Sequence, residues 1–501
     1  MSRCSRIGAP WLGLLLVISA VGCARNPVTG RPEAVLTSEE AEIEYGNQVA
    51  EMVGAEMGLV NDPELEAYLA QLGQRLAEHS PRTHLDYSFQ VVDLPEANAF
   101  AVPGGHVYVS RGLLSLANSE DELAAVLGHE IGHIAARHSV RREAASAPLA
   151  PLKIAAALGG VAASIVSPNL GQIVADIGQL PGAYVMAAYS RGQEREADRL
   201  GQELAAAAGF NPMALSLFTR TLSREEVLEG ENADARPFLL SHPPSPERSA
   251  AAEAYAENLV IATGLPAPLD RGSFLAHVDG IVVGQPAAEG VFIGERFLQP
   301  GLGIGFSFPV DWEYFNERNS VYAIDPDGST SLVIEIVGQG NNPMESARQF
   351  GQSIRLDEPP VAFEVNGLAA ARSGALIRGY SGGRQLLLAW VAHDDLIYRI
   401  VGGCPSSEIS LMRPEFNRTS ASFHSLVTEE RDEIFETRLR VVEAGVGEGL
   451  ARLGERSGNE WTPLRTAIAN GLEEENAPLP PGWQVKIAHE EPYTSPPDEA
   501  P

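Results

Sequence analysis

Cysteine is scarce in this sequence, which has only three cysteines among 501 residues: Cys4, Cys23 and Cys404. We expect Cys4 to be removed with an N-terminal segment and Cys23 to carry lipid, for reasons given below. Cys404 would then have no partner in the chain. The cysteine content therefore excludes a fold held together by intramolecular disulfide bonds.

Positive charge is also scarce. Lysine occurs only at Lys153 and Lys486, and 36 basic residues stand against 66 acidic ones, which gives a formal net charge of -30. A chain of this charge repels a phosphate backbone, so nucleic acid is excluded as a partner. The length predicts two or three domains.

The apolar run near the N-terminus, WLGLLLVISAV, is too short to cross a bilayer. It follows two arginines and precedes small residues, which predicts a signal peptide over residues 1–22. Cys23 then matches the lipobox of bacterial lipoproteins, so we expect cleavage before Cys23 and acylation of its thiol. The residue after Cys23 is Ala24 and not aspartate. By the sorting rule of such lipoproteins, this favours the periplasmic face of the outer membrane of a Gram-negative bacterium. An ordinary signal peptide cleaved nearby is the alternative.

The stretch LGHEIGHIAARH, residues 127–138, is predicted to be helical and contains candidate metal ligands. His129 and His133 are four residues apart and so lie on one helical face, where two imidazoles can bind one ion. Glu130 lies beside that position, as a base that activates water requires. The alternative is that these are ordinary histidines on a buried or solvated helix face. A third ligand would decide between the two.

Helical geometry points to a third ligand in SRGQEREADRLGQELAAAAGF, residues 190–210. A stripe of small and apolar positions marks the face that packs on another helix: Glu194, Ala197, Gly201 and Leu204. Glu194 is therefore expected to face inward, and Glu196, about 200° further round, to face solvent. Asp198 shares the inward face and can accept the free N–H of a ligating histidine.

The extended motif H-E-x-x-H-x-x-G-x-x-H is excluded, because Ala136 and Ser139 stand where it needs glycine and histidine. His138 lies roughly 140° round the helix from His133, so we expect a structural role for it.

Five motifs occur in an order that resembles the zinc metallopeptidases of the HtpX and CAAX-prenyl-protease (Ste-type) family: NPVTGR, NAFAVPGGHVYVSRGLL, LGHEIGHIAARH, YSRGQEREADRLG and SHPPSPER. The resemblance covers residues 24–262 and is greatest to periplasmic BepA-like lipoprotein proteases. It implies one Zn²⁺ per chain, with Glu194 as third ligand, Glu130 as catalytic base and Asp198 in support.

The same resemblance implies that His242, in an H-P loop, can occupy the open zinc position and hold the enzyme latent. The alternative for His242 is a loop histidine stacked on the prolines that follow. Arg248 could contact the substrate carbonyl in the transition state or simply hold structure, and the sequence does not decide between these roles.

The predicted fold class is α+β. Residues 24–262 should form a mostly helical, gluzincin-type domain with a small edge sheet. We expect an extended substrate to add as a strand at the segment from His106 to Val109. Residues 149–188 are nearly uncharged, and the run 154–167 within them is expected to form a packed or mobile helical element over the site, with contact to a membrane surface as the alternative.

The C-terminal half departs from BepA-like proteins, because it contains no helical repeat of about 34 residues. Residues 290–427 alternate as strands with two helices and faintly resemble PsbP-like α+β modules. Residues 436–488 resemble a degenerate LysM segment, in which Gly445 to Glu448 replace the usual G-D-T-L, so that glycan binding and a purely structural role both stay open. Residues 489–501 are expected to be a disordered tail.

Two functions follow as expectations. The preferred one is a lipid-anchored periplasmic zinc endopeptidase that hydrolyses misfolded or misassembled envelope proteins. The alternative is a chaperone or assembly factor for outer-membrane proteins whose catalytic site is normally latent. The expected partners are extended protein substrates and the outer-membrane lipid, with the outer-membrane assembly machinery or peptidoglycan as further candidates.

Overall fold

A computed structural model describes residues 22–25, 27–28, 30, 32–35, 38–141, 189–229, 241–242, 246–317, 320–379, 382–476 and 478–494. Nearly all of the expected signal peptide and the expected helical element at 154–167 lie outside these residues. The chain divides into two compact units, and each is described by itself. The first comprises residues 1–153, 181–284 and 438–489, and the second 154–180, 285–437 and 490–501.

The first unit is mainly helical, as the sequence predicts. Its helices before residue 285 are α1 (Glu39–Met57), α2 (Pro63–Ala77), α3 (Arg111–Leu116), α4 (Glu120–Ala135), α5 (Arg191–Ala207), α6 (Ala214–Glu229), α7 (Pro246–Ala256) and α8 (Arg271–Val278). Its strands there are β1 (Gly22–Arg25), β2 (Pro32–Val35), β3 (Ser88–Val92), β4 (Ala99–Val102) and β5 (His106–Ser110). β1 and β2 form an antiparallel pair.

The three-stranded sheet corrects one expectation about substrate binding. Its strand order is β3-β5-β4, so β5, with His106 to Val109, is the central strand and cannot accept a further strand. β3 pairs with β5 in parallel, and β4 folds back on β5 as an antiparallel hairpin. The turn of that hairpin needs Gly104 and Gly105, whose φ angles of 90° and 116° disfavour other residues. β4 is therefore the edge strand of this sheet.

Helix starts follow the capping residues that the sequence shows. The Ser38 hydroxyl accepts the N–H of Ala41 at the start of α1, and the Ser119 hydroxyl accepts the N–H of Glu122 at the start of α4. At α5 the Ser190 hydroxyl and the Gln193 side chain form a reciprocal capping box. These caps satisfy N–H groups that have no partner within the helix and so fix where each helix begins.

Three glycines bring α4 and α5 into unusually close contact. A Cβ added at Gly128 would lie 2.9 Å from the Gly201 carbonyl oxygen, and one at Gly132 would lie 2.9 Å from the Ala197 carbonyl oxygen. A Cβ added at Gly201 would lie 2.7 Å from the backbone nitrogen of His129. Any larger residue at these positions would push the helices apart. The backbones of the two helices therefore touch where α4 carries its histidines.

The second unit is an α+β structure, as predicted. Its strands are β6 (Val291–Ile293), β7 (Arg296–Gln299), β8 (Ile304–Ser307), β9 (Glu313–Glu317), β10 (Ser320–Ile324), β11 (Ser331–Gln339), β12 (Val361–Val365), β13 (Leu368–Gly379), β14 (Gly382–His393), β15 (Leu396–Pro405) and β16 (His424–Ser425). They form a seven-stranded sheet of order β12-β13-β14-β15-β11-β10-β9 and a four-stranded sheet of order β16-β8-β7-β6. Its helices are α9 (Pro343–Ser353), α10 (Ile409–Ser422) and α11 (Thr428–Arg431).

The chain then returns to the first unit through β17 (Phe435–Glu443), α12 (Leu450–Ser457), α13 (Pro463–Ala469) and β18 (Gln484–Pro492). The sequence predicts a separate LysM-like segment here, whereas residues 438–489 pack with the helices of the first unit. Lys486, fully buried, donates to the carbonyls of Ser115 and Ala117 at 2.7 and 2.6 Å. These bonds satisfy carbonyls at the end of α3, which explains why the segment docks there.

β18 also runs into the segment expected to be a disordered tail. It extends to Pro492, and the Tyr493 N–H donates to the Ile434 carbonyl. The expectation is therefore wrong for residues 489–492, because strand pairing with β17 orders them. Among the residues that the structure describes, no helix combines the length and the apolar character needed to cross a membrane.

The contact between α4 and α5 generates a stability prediction. Gly201→Ala should lower the unfolding free energy by about 1–3 kcal/mol, because the added methyl overlaps the α4 backbone. Gly192→Ala, at an exposed site of the same helix with only the Ser190 hydroxyl at 3.9 Å, should be neutral or raise it by up to about 1 kcal/mol. Urea denaturation measures both, and equal stability of the two variants would contradict the proposed contact.

Candidate metal centre

α4 presents three polar side chains to the interior. His129 and His133 are each 2% exposed and Glu130 is fully buried. Such burial of polar groups is costly unless each has a partner or binds an ion. The predicted inward stripe on α5 is confirmed, because Glu194, Ala197, Gly201 and Leu204 are all buried. Glu194 therefore enters the same interior from the second helix.

The donor atoms of four residues meet at one point. The Nε2 atom of His129 lies 3.0 Å from His133 Nε2 and 3.2 Å from His242 Nδ1. The Oε1 atom of Glu194 lies 3.4 Å from His133 Nε2 and 3.1 Å from His242 Nδ1. All four donor atoms lie within 4.8 Å of one another.

These spacings fit a single tetrahedral metal ion. Zinc takes nitrogen and oxygen donors at about 2.0–2.2 Å, which places tetrahedral donors about 3.3 Å apart. The observed separations lie on either side of that value. Three imidazoles and one carboxylate are also donor types that zinc accepts. The group of His129, His133, Glu194 and His242 could therefore hold one zinc ion.

Glu130 stands beside the donor group rather than in it. Its Oε1 atom lies 3.5 Å from His242 Nε2, and within the described part of the chain neither carboxylate oxygen accepts a hydrogen bond. Burial raises the pKa of Glu130 above its usual value, against the lowering effect of the nearby imidazoles. A buried carboxyl group with a raised pKa and free oxygens is suited to accepting and returning a proton.

Asp198 and Arg248 contact the ligands on the side away from the donor group. Asp198 Oδ1 lies 2.9 Å from His129 Nδ1, the ring nitrogen that faces away from the donor group. Arg248 grips the Asp198 carboxylate with Nε and Nη2 at 2.6 and 2.7 Å, and its Nη1 lies 2.6 Å from Glu194 Oε2. Burial alone would raise the pKa of Asp198, but the Arg248 contact and His129 lower it, so this carboxylate stays charged. This geometry favours the structural alternative for Arg248 over a contact with the substrate carbonyl.

His138 and Glu196 support the ligand His133, and the sequence predicted the role of His138 but not that of Glu196. His138 Nδ1 lies 2.9 Å from His133 Nδ1, which gives the expected structural role a specific form: it holds the ring of a ligand. Glu196 is not on the solvent side, as helical phase predicts, but is half-buried between His138 and Arg141 at 3.1 and 3.0 Å. The reason is the left-handed Arg137, φ 54°, which ends α4 and turns His138 back towards α5.

Two further groups near the site carry no role in the sequence analysis. The ring of Tyr189 stacks on His133 with centroids 4.0 Å apart. Tyr189 is the first residue of the motif YSRGQEREADRLG, and its place in that motif could have indicated that it lies near the site. The buried Glu42 of α1 bonds Arg82 and Arg137 at 2.8 and 2.7 Å and so ties α1 to the end of α4. These three residues are far apart in the sequence, so no local sequence pattern predicts that they pair.

Comparisons with known proteins agree with this geometry. The profile of Peptidase family M48 matches residues 63–256, which include every ligand described above. Metalloprotease YcaL of Escherichia coli (strain K12) is 31% identical over 218 residues, which cover 43% of this chain and 76% of YcaL. The chain belongs to peptidase family M48. The predicted zinc metallopeptidase family is thereby confirmed, and with it the predicted cofactor, since M48 metallopeptidases use zinc.

Two further relatives each match about half of this chain. The beta-barrel assembly-enhancing protease of Escherichia coli (strain K12) is 32% identical over 240 residues, which cover 47% of this chain and 48% of that protein. A putative protein of the same name from Vibrio cholerae is 31% identical over 245 residues, 48% of this chain and 50% of that protein. This M48 chain spans about half the length of these relatives.

One solved structure resembles a part of this chain only weakly. The solution structure of cyanobacterial PsbP (CyanoP) from Synechocystis sp. PCC 6803 is 13% identical, covers 27% of this chain and 95% of CyanoP, and has a TM-score of 0.24. A TM-score this low carries no argument. The PsbP-like and LysM-like resemblances stay predictions, as does lipidation of Cys23, which lies in β1.

The two glutamates of α5 give a prediction about metal binding. Glu194→Ala removes a donor atom and should abolish stoichiometric zinc binding, as measured by metal analysis of purified protein. Glu196→Ala should keep zinc, because Glu196 contacts only His138 and Arg141 in the described site, and should lower thermal stability instead. Loss of zinc in Glu196→Ala but not in Glu194→Ala would contradict the ligand assignment.

Proposed function

We propose that this chain is a zinc-dependent endopeptidase that hydrolyses peptide bonds of misfolded or misassembled envelope proteins. The observation that carries the proposal is the buried four-residue donor group with the free Glu130 carboxylate beside it. A structural metal site would need no such carboxylate. The substrate class is supported by the name of the beta-barrel assembly-enhancing proteases, which match about half of this chain.

Each residue has a part in the proposed mechanism. Zinc bound at His129, His133 and Glu194 would supply a Lewis acid that polarises the peptide carbonyl and makes water more acidic. Glu130 accepts the proton of the attacking water and later delivers it to the leaving nitrogen. Asp198 holds His129 in the orientation that directs Nε2 to the donor group. Arg248 fixes both Asp198 and Glu194, so it acts as a positioning residue.

The substrate would lie along β4 rather than β5. In the described part of the chain β4 pairs on one side only, with β5, which leaves its other edge for an extended peptide. Ala101 and Val102 of β4 line a small cavity together with His133, so a strand added there would pass beside the metal centre. Main-chain hydrogen bonds would then position the peptide bond largely independently of its sequence.

His242 favours a latent ground state within the same proposal. Its Nδ1 atom lies 3.1 Å from Glu194 Oε1 and its Nε2 atom 3.5 Å from Glu130 Oε1, so its ring fills the space that water needs. Activity would require the loop of His242 to move. This contact is also the observation that supports the alternative function, an assembly factor for outer-membrane proteins whose site stays closed.

Variants of Glu130 and His242 should change casein or peptide cleavage in opposite directions. Glu130→Gln removes the base without removing a ligand, so zinc should stay and the rate should fall about 100- to 10,000-fold. His242→Ala removes the competitor and leaves three ligands, so zinc should stay and the rate should rise, tenfold for each 1.4 kcal/mol by which the loop equilibrium shifts. Unchanged cleavage by Glu130→Gln would refute the proposed enzyme. Unchanged cleavage by His242→Ala would refute only the latch.

The location is proposed from the lipobox. Acylation of Cys23 would anchor the chain to the periplasmic face of the outer membrane, where its substrates would be extended protein segments. Peptidoglycan or the outer-membrane assembly machinery are further proposed partners, through residues 290–427 or the LysM-like residues 436–488.

Substitution of the proposed lipidated cysteine tests this location. Cys23→Ser should move the protein from the membrane fraction to the soluble periplasmic fraction, because a thiol is needed for acylation. Mass spectrometry of the wild-type N-terminus supplies the control. A wild-type N-terminus without lipid, with unchanged fractionation of the variant, would contradict the anchor.

A further inference from the structure

The second unit contains a cavity between its two sheets. The space enclosed by its lining measures about 420 Å³, open solvent at the mouth included. Phe297 of β7 and Phe306 of β8 line one wall, and Ile334 of β11 and Tyr398 of β15 line the other. All four are at most 3% exposed. The core of this unit is therefore left partly unfilled by its own side chains.

Two buried hydroxyls in the cavity lining, those of Tyr398 and Ser320, have no hydrogen-bond partner within the described part of the chain. Tyr398 is 2% exposed. Buried tyrosine hydroxyls usually have a hydrogen-bond partner, because burying an unpaired hydroxyl is unfavourable. Burial raises the pKa of Tyr398, so the hydroxyl stays protonated and can donate. A ligand oxygen in the cavity would satisfy it.

The charges around the cavity select against ionic ligands. Its lining includes three glutamates and no basic residue, so a carboxylate ligand would be repelled. Two of these glutamates are engaged elsewhere: Glu335 bonds Arg399 at 2.6 Å, and Glu317 accepts the Tyr322 hydroxyl at 3.1 Å. A buried ammonium group would find these two carboxylates already paired and would lose its hydration without full compensation.

We propose that this cavity binds a neutral amphiphile, with an aliphatic chain between Phe297, Phe306 and Ile334 and a hydroxyl or ester oxygen at the Tyr398 hydroxyl. The apolar walls would stabilise the bound ligand in proportion to the length of its buried chain, and a hydrogen bond to the Tyr398 hydroxyl would orient it. The site is separate from the metal centre and does not depend on the proposed peptidase activity.

A series of eight-carbon probes tests the class of ligand. n-Octanol, octanoate and octylamine are titrated into the full mature chain, and the isoleucine methyl NMR signals of Ile304 and Ile334 report occupancy. Octanol should bind at least about tenfold more tightly than either ion. From butanol to octanol the affinity should rise about fourfold for each CH₂. Equal binding of octanoate, or no shift of these methyl signals with octanol, would overturn the proposal.

Matched variants locate the binding. Tyr398→Phe removes only the hydroxyl and should weaken octanol binding about fivefold. Tyr314→Phe is the control, since its hydroxyl donates to the Pro309 carbonyl and neither residue lines the cavity. Val321→Phe should fill the cavity and abolish binding while the chain stays folded. Octanol affinity unchanged in both Tyr398→Phe and Val321→Phe would show that the alcohol binds elsewhere.

Discussion

The contact between α4 and α5 is the constraint on which the metal centre depends. A carboxylate on one helix reaches histidines on another only if the two backbones approach closely, and Gly128, Gly132 and Gly201 make that possible. With side chains at these positions, the Glu194 carboxylate would be held away from His129. The two helices are far apart in sequence, so the site exists only because small residues face each other across this contact.

The electrostatics of the centre follow from its burial. Glu130, Glu194 and Asp198 are all at most 4% exposed, and buried carboxylates are tolerated only with compensating charge. Arg248 compensates Asp198 and also contacts Glu194, and the remaining neighbours of these carboxylates are mainly imidazoles. Burial lowers the pKa of His133 well below its usual value, so its ring is neutral, as a metal ligand must be. A divalent cation completes this charge balance.

Local periodicity predicted much of this site. The spacing of His129 and His133 placed both on one face, and the stripe that includes Glu194 identified the inward face of α5. Features set by contacts between distant parts of the sequence were not predictable in this way. β5 is a central strand because β3, which lies earlier in the sequence, pairs with its second edge. Glu196 is half-buried because the left-handed Arg137 turns the chain back towards it. Residues 438–489 pack with the first unit, where the buried Lys486 bonds the end of α3. A single sequence shows which residues share an element, but not which elements meet.

The central claim is that His129, His133 and Glu194 bind one zinc ion in a closed, nitrogen- and oxygen-rich site. X-ray absorption at the zinc edge of the purified protein tests it most directly. The account predicts one zinc per chain with four nitrogen or oxygen neighbours at about 2.0–2.2 Å and scattering from at least two imidazoles. Substoichiometric zinc, a sulfur neighbour at about 2.3 Å, or a shell without imidazole scattering would contradict it.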